Sequence, residues 1–501
     1  MLAPAVLLAV AASAANVTVS PAPDHVALTV YRAPWRGARE AMNLRYLNGF
    51  AFITETRTVR LKAGETVLRF EGVADGIVPA SAVIVGLPGG VVEKNCDAHL
   101  LSPAALIDGT LGRQVTLRRT DKASGAVHEE QATIVAGPAE GVVLQTGSGI
   151  ETLRCSGLGE KVRYGAVPAG LSARPVLSVT TRSPRAATAR VTLSYLASGF
   201  DWSASYVATL APDAKSLDLF AWLTLANSNH GVFADADVQA VAGRVRRQAV
   251  REVMAAAARL ELHCYPLGTT TSNLPSFAGG LREDIVVTGS SIMRAPVVAM
   301  MAAPAPPPPP PPPPPEDLGD LKLYRVPERV TVAANGQKQV ALLVRQHVAF
   351  ETVYRFALQE WSRVSDQPAD IVLRLRNEEK DGLGIPLPAG TTAVYQPRGD
   401  TRLLLSLGTI GDVAKGERTR FAAGVSHQIL ATQSAQDRVR TVTLSNANPY
   451  PVPAEVAIGG TGDRLYVDTS APLERIDGIQ TWRATVPANG TAVLSYAVPK
   501  G

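Results

Sequence analysis

Cysteine, histidine and aromatic residues are all scarce in this chain, with 3 Cys, 7 His and an aromatic fraction of 5% over 501 residues. That leaves few groups for redox, metal or nucleophilic chemistry. The phosphate-cradling G-x-x-x-x-G-K-[ST], a dinucleotide G-x-G-x-x-G opening a helix, the G-x-S-x-G elbow and H-E-x-x-H are missing as well. Cys96-Asp97-Ala98-His99 has a C-x-x-H spacing and His263-Cys264 adds two soft ligands. A zinc site, however, declares itself with two closely spaced pairs, and adjacent His-Cys is poor geometry for one ion. Cys264 as a nucleophile would lack a fixed base and an oxyanion hole. No catalytic residue, metal or cofactor is expected. Net charge is only +5, and the densest basic patch, Arg244, Arg246, Arg247 and Arg251, has no interleaved aromatics; nucleic acid is not an expected partner. Beyond the first residues no stretch approaches the ~20 apolar residues of a membrane-spanning helix.

Proline is present in one block. Ten consecutive prolines, Pro306 to Pro315, interrupt a chain that reads as strands and turns on both sides. Proline fixes φ and lacks an amide donor, so the block reads as a polyproline II rod of roughly 30 Å. The stretch ahead of it carries no sustained periodicity, which places a disordered Pro-rich insertion over residues 266–320. Elsewhere a local device recurs. Thr58–Leu61 leads through Lys62-Ala63-Gly64-Glu65 into Thr66–Phe70, Val330–Val332 through Ala333-Ala334-Asn335-Gly336 into Gln339–Leu343, and Ala484–Val486 through Pro487-Ala488-Asn489-Gly490 into Ala492–Tyr496. Each reads as a β-hairpin, because Gly or Asn-Gly accepts the positive φ of a tight turn. The expected fold is mostly β, with tandem β-sandwich-like domains. One short helix is expected over Arg246 to Leu260, where Val250, Val253, Met254 and Ala257 recur at helical spacing. The expected division is an N-terminal β domain over 16–175, a core domain begun by 176–265, the insertion, and the remainder of the core over 321–501.

Residues 1–15 begin an apolar stretch that ends in Ala12-Ser13-Ala14, the small-x-small pattern of signal-peptide cleavage. Export is expected, to the periplasm or the outer-membrane surface of a Gram-negative bacterium. A disulfide is stable there, and Cys96 with Cys155 is the candidate pair, Cys264 being left over; the alternative is three reduced thiols. Joining the pair would close a loop of about 60 residues, worth roughly 4 kcal/mol in the chain-entropy model. Inside the insertion, Asp284, Ile285, Val286, Val287 and Thr288 resemble the TonB-box-like segment near the N-terminus of outer-membrane TonB-dependent transporters. A β-prone tetrapeptide on a tether can add as a strand to an envelope partner with an exposed sheet edge.

Trp202, Tyr206 and Trp222 could form a stacking surface for a polysaccharide, although the alternation in "FDWSASYVATL" puts Trp202, Ala204 and Tyr206 on one strand face, as in a sandwich core. The order Leu193, Tyr195, Gly199, Trp202, Tyr206, Trp222, Asn227, Phe233, Ala236 and Gly243 resembles the core of the bacterial domain-of-unknown-function 4139 family, found in mucoidy-inhibitor-A-like proteins. Asn377 with "GLGIPLPAG", "LSNANPYPVPAEV" and "VPANGTAVLSYAV" agree with it, and "LNGFAFITETRTVRLKAGETVLRFEGVADGIVPASAVIVG" is similar to the opening β-segment of that family. The chain lacks the coiled-coil segment of longer members. The resemblance implies a fold and no catalytic residues. The expected function is that of a non-enzymatic cell-envelope protein acting through protein or glycan contacts; the alternative is an envelope hydrolase acting on surface polysaccharide, with a carboxylate pair drawn from the chain's 44 acidic residues.

Overall fold

Period-2 alternation is sustained here over strands of up to 24 residues. The computed structural model describes residues 16–97, 101–121, 124–137, 142–152, 161–168, 171–172, 174–243, 245, 313–461 and 465–499, and the chain is mostly β. The one α-helix among the described residues is Pro103–Gly109, whose N-cap Ser102 hydroxyl accepts the Ala105 N–H at 3.1 Å. Its capping Ser followed by Pro at the first helical position is a start signal independent of helical periodicity. The helix expected over Arg246 to Leu260 and the leader at 1–15 lie outside the described residues. No helix among them is long and apolar enough to cross a membrane.

Two compact units are present. The smaller, within Cys96–Val176, is an antiparallel sheet of 5 strands with the helix, around Ile107, Leu117, Ile134 and Leu144. The larger takes in 16–95, 177–245 and 313–499. The stretch expected as one domain over 16–175 is thus divided, because Gly49–Leu61 is zipped antiparallel to Ala187–Leu210, from Leu61 opposite Ala187 to Gly49 opposite Phe200. Strands on the two sides of the Pro-rich block pair with each other, Ser216–Asn227 with Gly336–Leu358. Glu316–Leu318, inside the stretch expected as the insertion, pairs with Leu321–Arg325.

The larger unit contains the same pattern of strands twice. In the first module His25–Tyr31 pairs antiparallel with Gly49–Leu61, which pairs with the first half of Ala187–Leu210. The second half of that strand pairs with Ser216–Asn227, which pairs with the first half of Gly336–Leu358. Phe233–Ala242 runs parallel to His25–Tyr31 and antiparallel to Val330–Val332. In the second module the corresponding strands are the end of Gly336–Leu358, Val364–Arg376, Arg418–Gln436, Val439–Asn446, Val452–Ile458, Ile479–Val486 and Thr491–Ala497. Each of those pairings recurs in the same sense. One strand, Gly336–Leu358, therefore serves both modules, with His347 at φ 55° between the two uses. The third strand of the first module passes between sheets at Gly199, where φ is +81° and a β-bulge shifts the register; an added Cβ there would lie 2.8 Å from the Ser228 hydroxyl.

The recurring turn device has a different role from the one expected. Val330–Val332 pairs with Phe233–Ala242 while Gly336–Leu358 pairs with Ser216–Asn227, and Ile479–Val486 and Thr491–Ala497 likewise lie in different ladders. Leu61 and Gly64 also end and begin strands of separate sheets. All three are arches that carry the chain across a core, not hairpins. Two of the turns are fastened sideways: Asn335 N–H donates to the Asn229 carbonyl at 3.1 Å, and Asn489 N–H to the Asn448 carbonyl at 2.9 Å. Behind each of these two sits a buried asparagine closing a strand. Asn227 Nδ2 donates to the Gly231 and Ala333 carbonyls, both at 3.0 Å, and its Oδ1 accepts Asn229 N–H. Asn446 repeats this with Tyr450, Pro487 and Asn448. An amide supplies two donors and a carbonyl acceptor on separate atoms without charge, which suits a buried corner full of backbone groups.

The second module's core joins residues of both its sheets, among them Phe356, Ile429, Leu444, Val456, Trp482 and Tyr496. The first module instead buries an ionic network. Arg57 donates to Glu55 Oε2 at 2.7 and 2.9 Å and to the Ser20 and Glu71 carbonyls, and Tyr195 Oη donates to Glu55 Oε1 at 2.7 Å. Because its groups are all hydrogen-bonded, the pair can be kept dry; it specifies one arrangement of strands and adds little net stability.

Candidate functional site

The three aromatics singled out from sequence part company. Trp202 is 0% exposed, and its indole N–H donates to the Val241 carbonyl at 3.1 Å. Tyr206 is buried too, with Oη donating to the Pro388 carbonyl at 2.7 Å and burial raising its phenol well above the usual value. Neither can face a sugar. Beside Tyr206 and Tyr324 lies a cavity of about 20 Å³ against Pro386 and Pro388, room for roughly one water. Trp222, 37% exposed, points the other way, because Ala221 and Leu223 take the core positions of its strand. It packs edge-to-face on Phe220 with ring centroids 4.6 Å apart. The side chain of Cys96, and all of Cys155, Cys264 and 284–288, lie outside the described residues.

Around Trp222 the register assembles an exposed apolar face. Gly390–Arg398 adds in parallel to Ala187–Leu210, and Thr401–Ile410 pairs antiparallel with Gly390–Arg398. Strands from both modules thus form one surface. Following neighbours across it gives Leu407, Ala393, Val207, Phe220 and Val344 as one transverse row. Leu407 is 71% exposed and Val344 40%. The next row is Thr409, Thr391, Ser205, Trp222 and Ala341, and Leu404, exposed, stands opposite Tyr395 on the third side. Apolar neighbours on one sheet face are the arrangement by which a sheet packs against something.

Beyond Thr401–Ile410 the next neighbour is Arg418–Gln436, close enough that a Cβ on Gly408 would lie 3.1 Å from the Ala422 Cβ. Sequence reading missed the face for a physical reason: "TRLLLSLGTI" has the composition of a buried strand, and only long-range register shows that its leucines face outward.

The approach of the hairpin depends on Gly390, where a Cβ would meet the Ala204 carbonyl oxygen at 2.3 Å. Arg32 braces its base, donating to the Ala389 carbonyl at 3.1 Å and to Asp412 Oδ2 at 3.1 Å, and Asp412 Oδ1 accepts Ala389 N–H at 2.8 Å. The face is chemically suited to contact, because its rows carry hydroxyls and exposed hydrocarbon. Searches of known proteins found no family model and no curated sequence that matches the chain.

Proposed function

We propose that this is a non-enzymatic cell-envelope protein that works by contact, and that the row from Leu407 to Val344 is where a second protein docks. The observation behind the reading is the continuous apolar row whose two ends, Leu407 and Val344, are exposed. A partner that presents an apolar patch to this face would cover Leu404, Leu407 and Val344 together. The exposed ends of the row, Leu407 and Val344, together with Leu404, are aliphatic, and the rings between them, Phe220 and Trp222, pack edge-to-face on each other, which favours a protein over a glycan. The apolar leader ending in Ala12-Ser13-Ala14 supports export. The resemblance to mucoidy-inhibitor-A-like proteins belongs to the same proposal, and it rests on turn and core positions such as Gly199, Trp202 and Asn227.

The test is a photo-cross-linking residue at Leu407 in producing cells. One discrete protein adduct is expected, and it should vanish when Val344→Arg is added in the same row. The same label at Ile150, 72% exposed on the smaller unit, should give none. An adduct of twice the chain's mass would put a second copy in the partner's place, a glycan smear would replace protein by sugar, and no adduct at Leu407 would overturn the reading.

A further inference from the structure

On the second module, away from the apolar row, arginines face one another across adjacent strands. Arg376 stands opposite Arg418 and Arg374 opposite Arg420. Like charges directly opposite are unfavourable, so their partners matter. Arg374 donates to Glu351 at 2.6 Å and to the buried Glu455, which also accepts Arg483 Nε at 3.3 Å. Arg420 is paired with Asp477. Arg376 reaches only Glu378, at 3.8 Å, and that carboxylate is held by Lys380 at 2.6 Å. Arg418 has no hydrogen-bond or ion-pair partner among the described residues. Arg374, Arg376, Arg418 and Arg483 line one open cleft of about 270 Å³ together with Glu351 and Asp381. Asp381 lines the cleft with a carboxylate that accepts no hydrogen bond among the described residues, its Oδ2 being closed to solvent.

The cleft therefore offers two guanidinium groups with capacity to spare and an acceptor with no donor. A simple anion would satisfy the first and be repelled by the second; a neutral sugar would do the reverse. The complementary ligand carries a carboxylate beside hydroxyl groups. We infer that this cleft binds a carboxylated sugar, with the carboxylate bridging Arg376 and Arg418 and a ring hydroxyl donating to Asp381. A volume just below the roughly 300–1,000 Å³ of drug-sized pockets fits one such sugar unit. Planar guanidinium forks suit a carboxylate held by two parallel hydrogen bonds.

Calorimetric titration of the full chain with glucuronate, glucose, acetate and inorganic phosphate separates these chemistries. Glucuronate should bind at least tenfold more tightly than the other three. Arg418→Gln should weaken glucuronate at least tenfold while the melting temperature stays level or rises, since the change removes a like-charge contact. Asp381→Asn should weaken glucuronate yet leave acetate unchanged. An oligoglucuronate that binds more tightly than the monomer assigns the ligand to a polysaccharide, and one that binds no better assigns it to a free sugar acid. Phosphate or acetate matching glucuronate, absence of glucuronate binding, or an Arg418→Gln variant with undiminished affinity would each overturn the inference. Val344→Arg should not alter glucuronate binding, so the cleft and the docking face fail separately.

Discussion

Replacing Tyr195 by Phe tests the buried network with the smallest change in shape. The phenol oxygen donates to Glu55 Oε1 at 2.7 Å and accepts the Ala74 N–H at 3.2 Å. A hydrogen bond to a charged group is worth about 1.5–3 kcal/mol, and a buried N–H left without a partner costs about 1–3 kcal/mol. The ring stays, so no large cavity opens, and the loss at neutral pH should be about 3–5 kcal/mol by urea denaturation. A second signature appears in alkali. Burial first, and then the Glu55 carboxylate, hold the Tyr195 phenol well above its ordinary value. In the unfolded chain it ionises from about pH 10, so above that pH the unfolded state has lost a proton that the folded state keeps. The stability from this group is therefore complete below about pH 10 and falls by about 1.4 kcal/mol per pH unit above it, until the folded phenol ionises. Tyr206 and Tyr324 are raised by burial in the same sense, which makes alkaline unfolding steep. Tyr195→Phe should lower that slope by one tyrosine's share. A loss under about 1 kcal/mol at neutral pH with an unchanged alkaline slope would refute the argument.

The asparagine corners should be intolerant of Asp as well as Ala. Asn446→Asp keeps the acceptor and loses the donor to Tyr450 and Pro487, so both variants should lose about 2–4 kcal/mol in thermal or urea unfolding; an Asp variant as stable as the parent would argue against the staple. Gly390→Val should detach the added hairpin, because its side chain would strike the Ala204 carbonyl; trypsin should then cut at Arg398 or Arg402 faster than in the parent, and equal cutting would count against it. Leu407→Lys should leave the melting temperature within about 2 °C, as an exposed position does, while abolishing the cross-link from the same label placed at Leu404; a large fall in melting temperature would mean that the side chain packs within the fold.

The mostly β class was legible because period-2 alternation is local, and so was the core role of Trp202 and Tyr206, whose inward parity is written in "FDWSASYVATL". The turn at Ala333-Ala334-Asn335-Gly336 was legible as a turn but not as an arch. A hairpin and an arch share turn chemistry and differ in which distant strand each arm pairs with, and that depends on residues more than 100 positions away, as in the pairing of Asn227 with Gly336. The duplication was half visible in the echo of Asn227-Ser228-Asn229 by Asn446-Ala447-Asn448. The arginine cleft was invisible, since Arg376 and Arg418 are separated in sequence by a whole hairpin and only register brings them together.

The two modules carry their extra chain at the same point, between second and third strands. In the first that extra chain includes the smaller unit, within Cys96–Val176. In the second it is the hairpin of Gly390–Arg398 and Thr401–Ile410, which joins the sheet of the first module. That addition turns the outer side of the second half of Ala187–Leu210 into sheet interior and brings Thr401–Ile410 beside Arg418–Gln436. The hairpin's arginines, Arg398 and Arg402, sit at its tip. Past the tip it turns Leu404 and Leu407 toward solvent. A hairpin borrowed from one module to widen the sheet of another, with those leucines left exposed, is best accounted for by a partner that covers them.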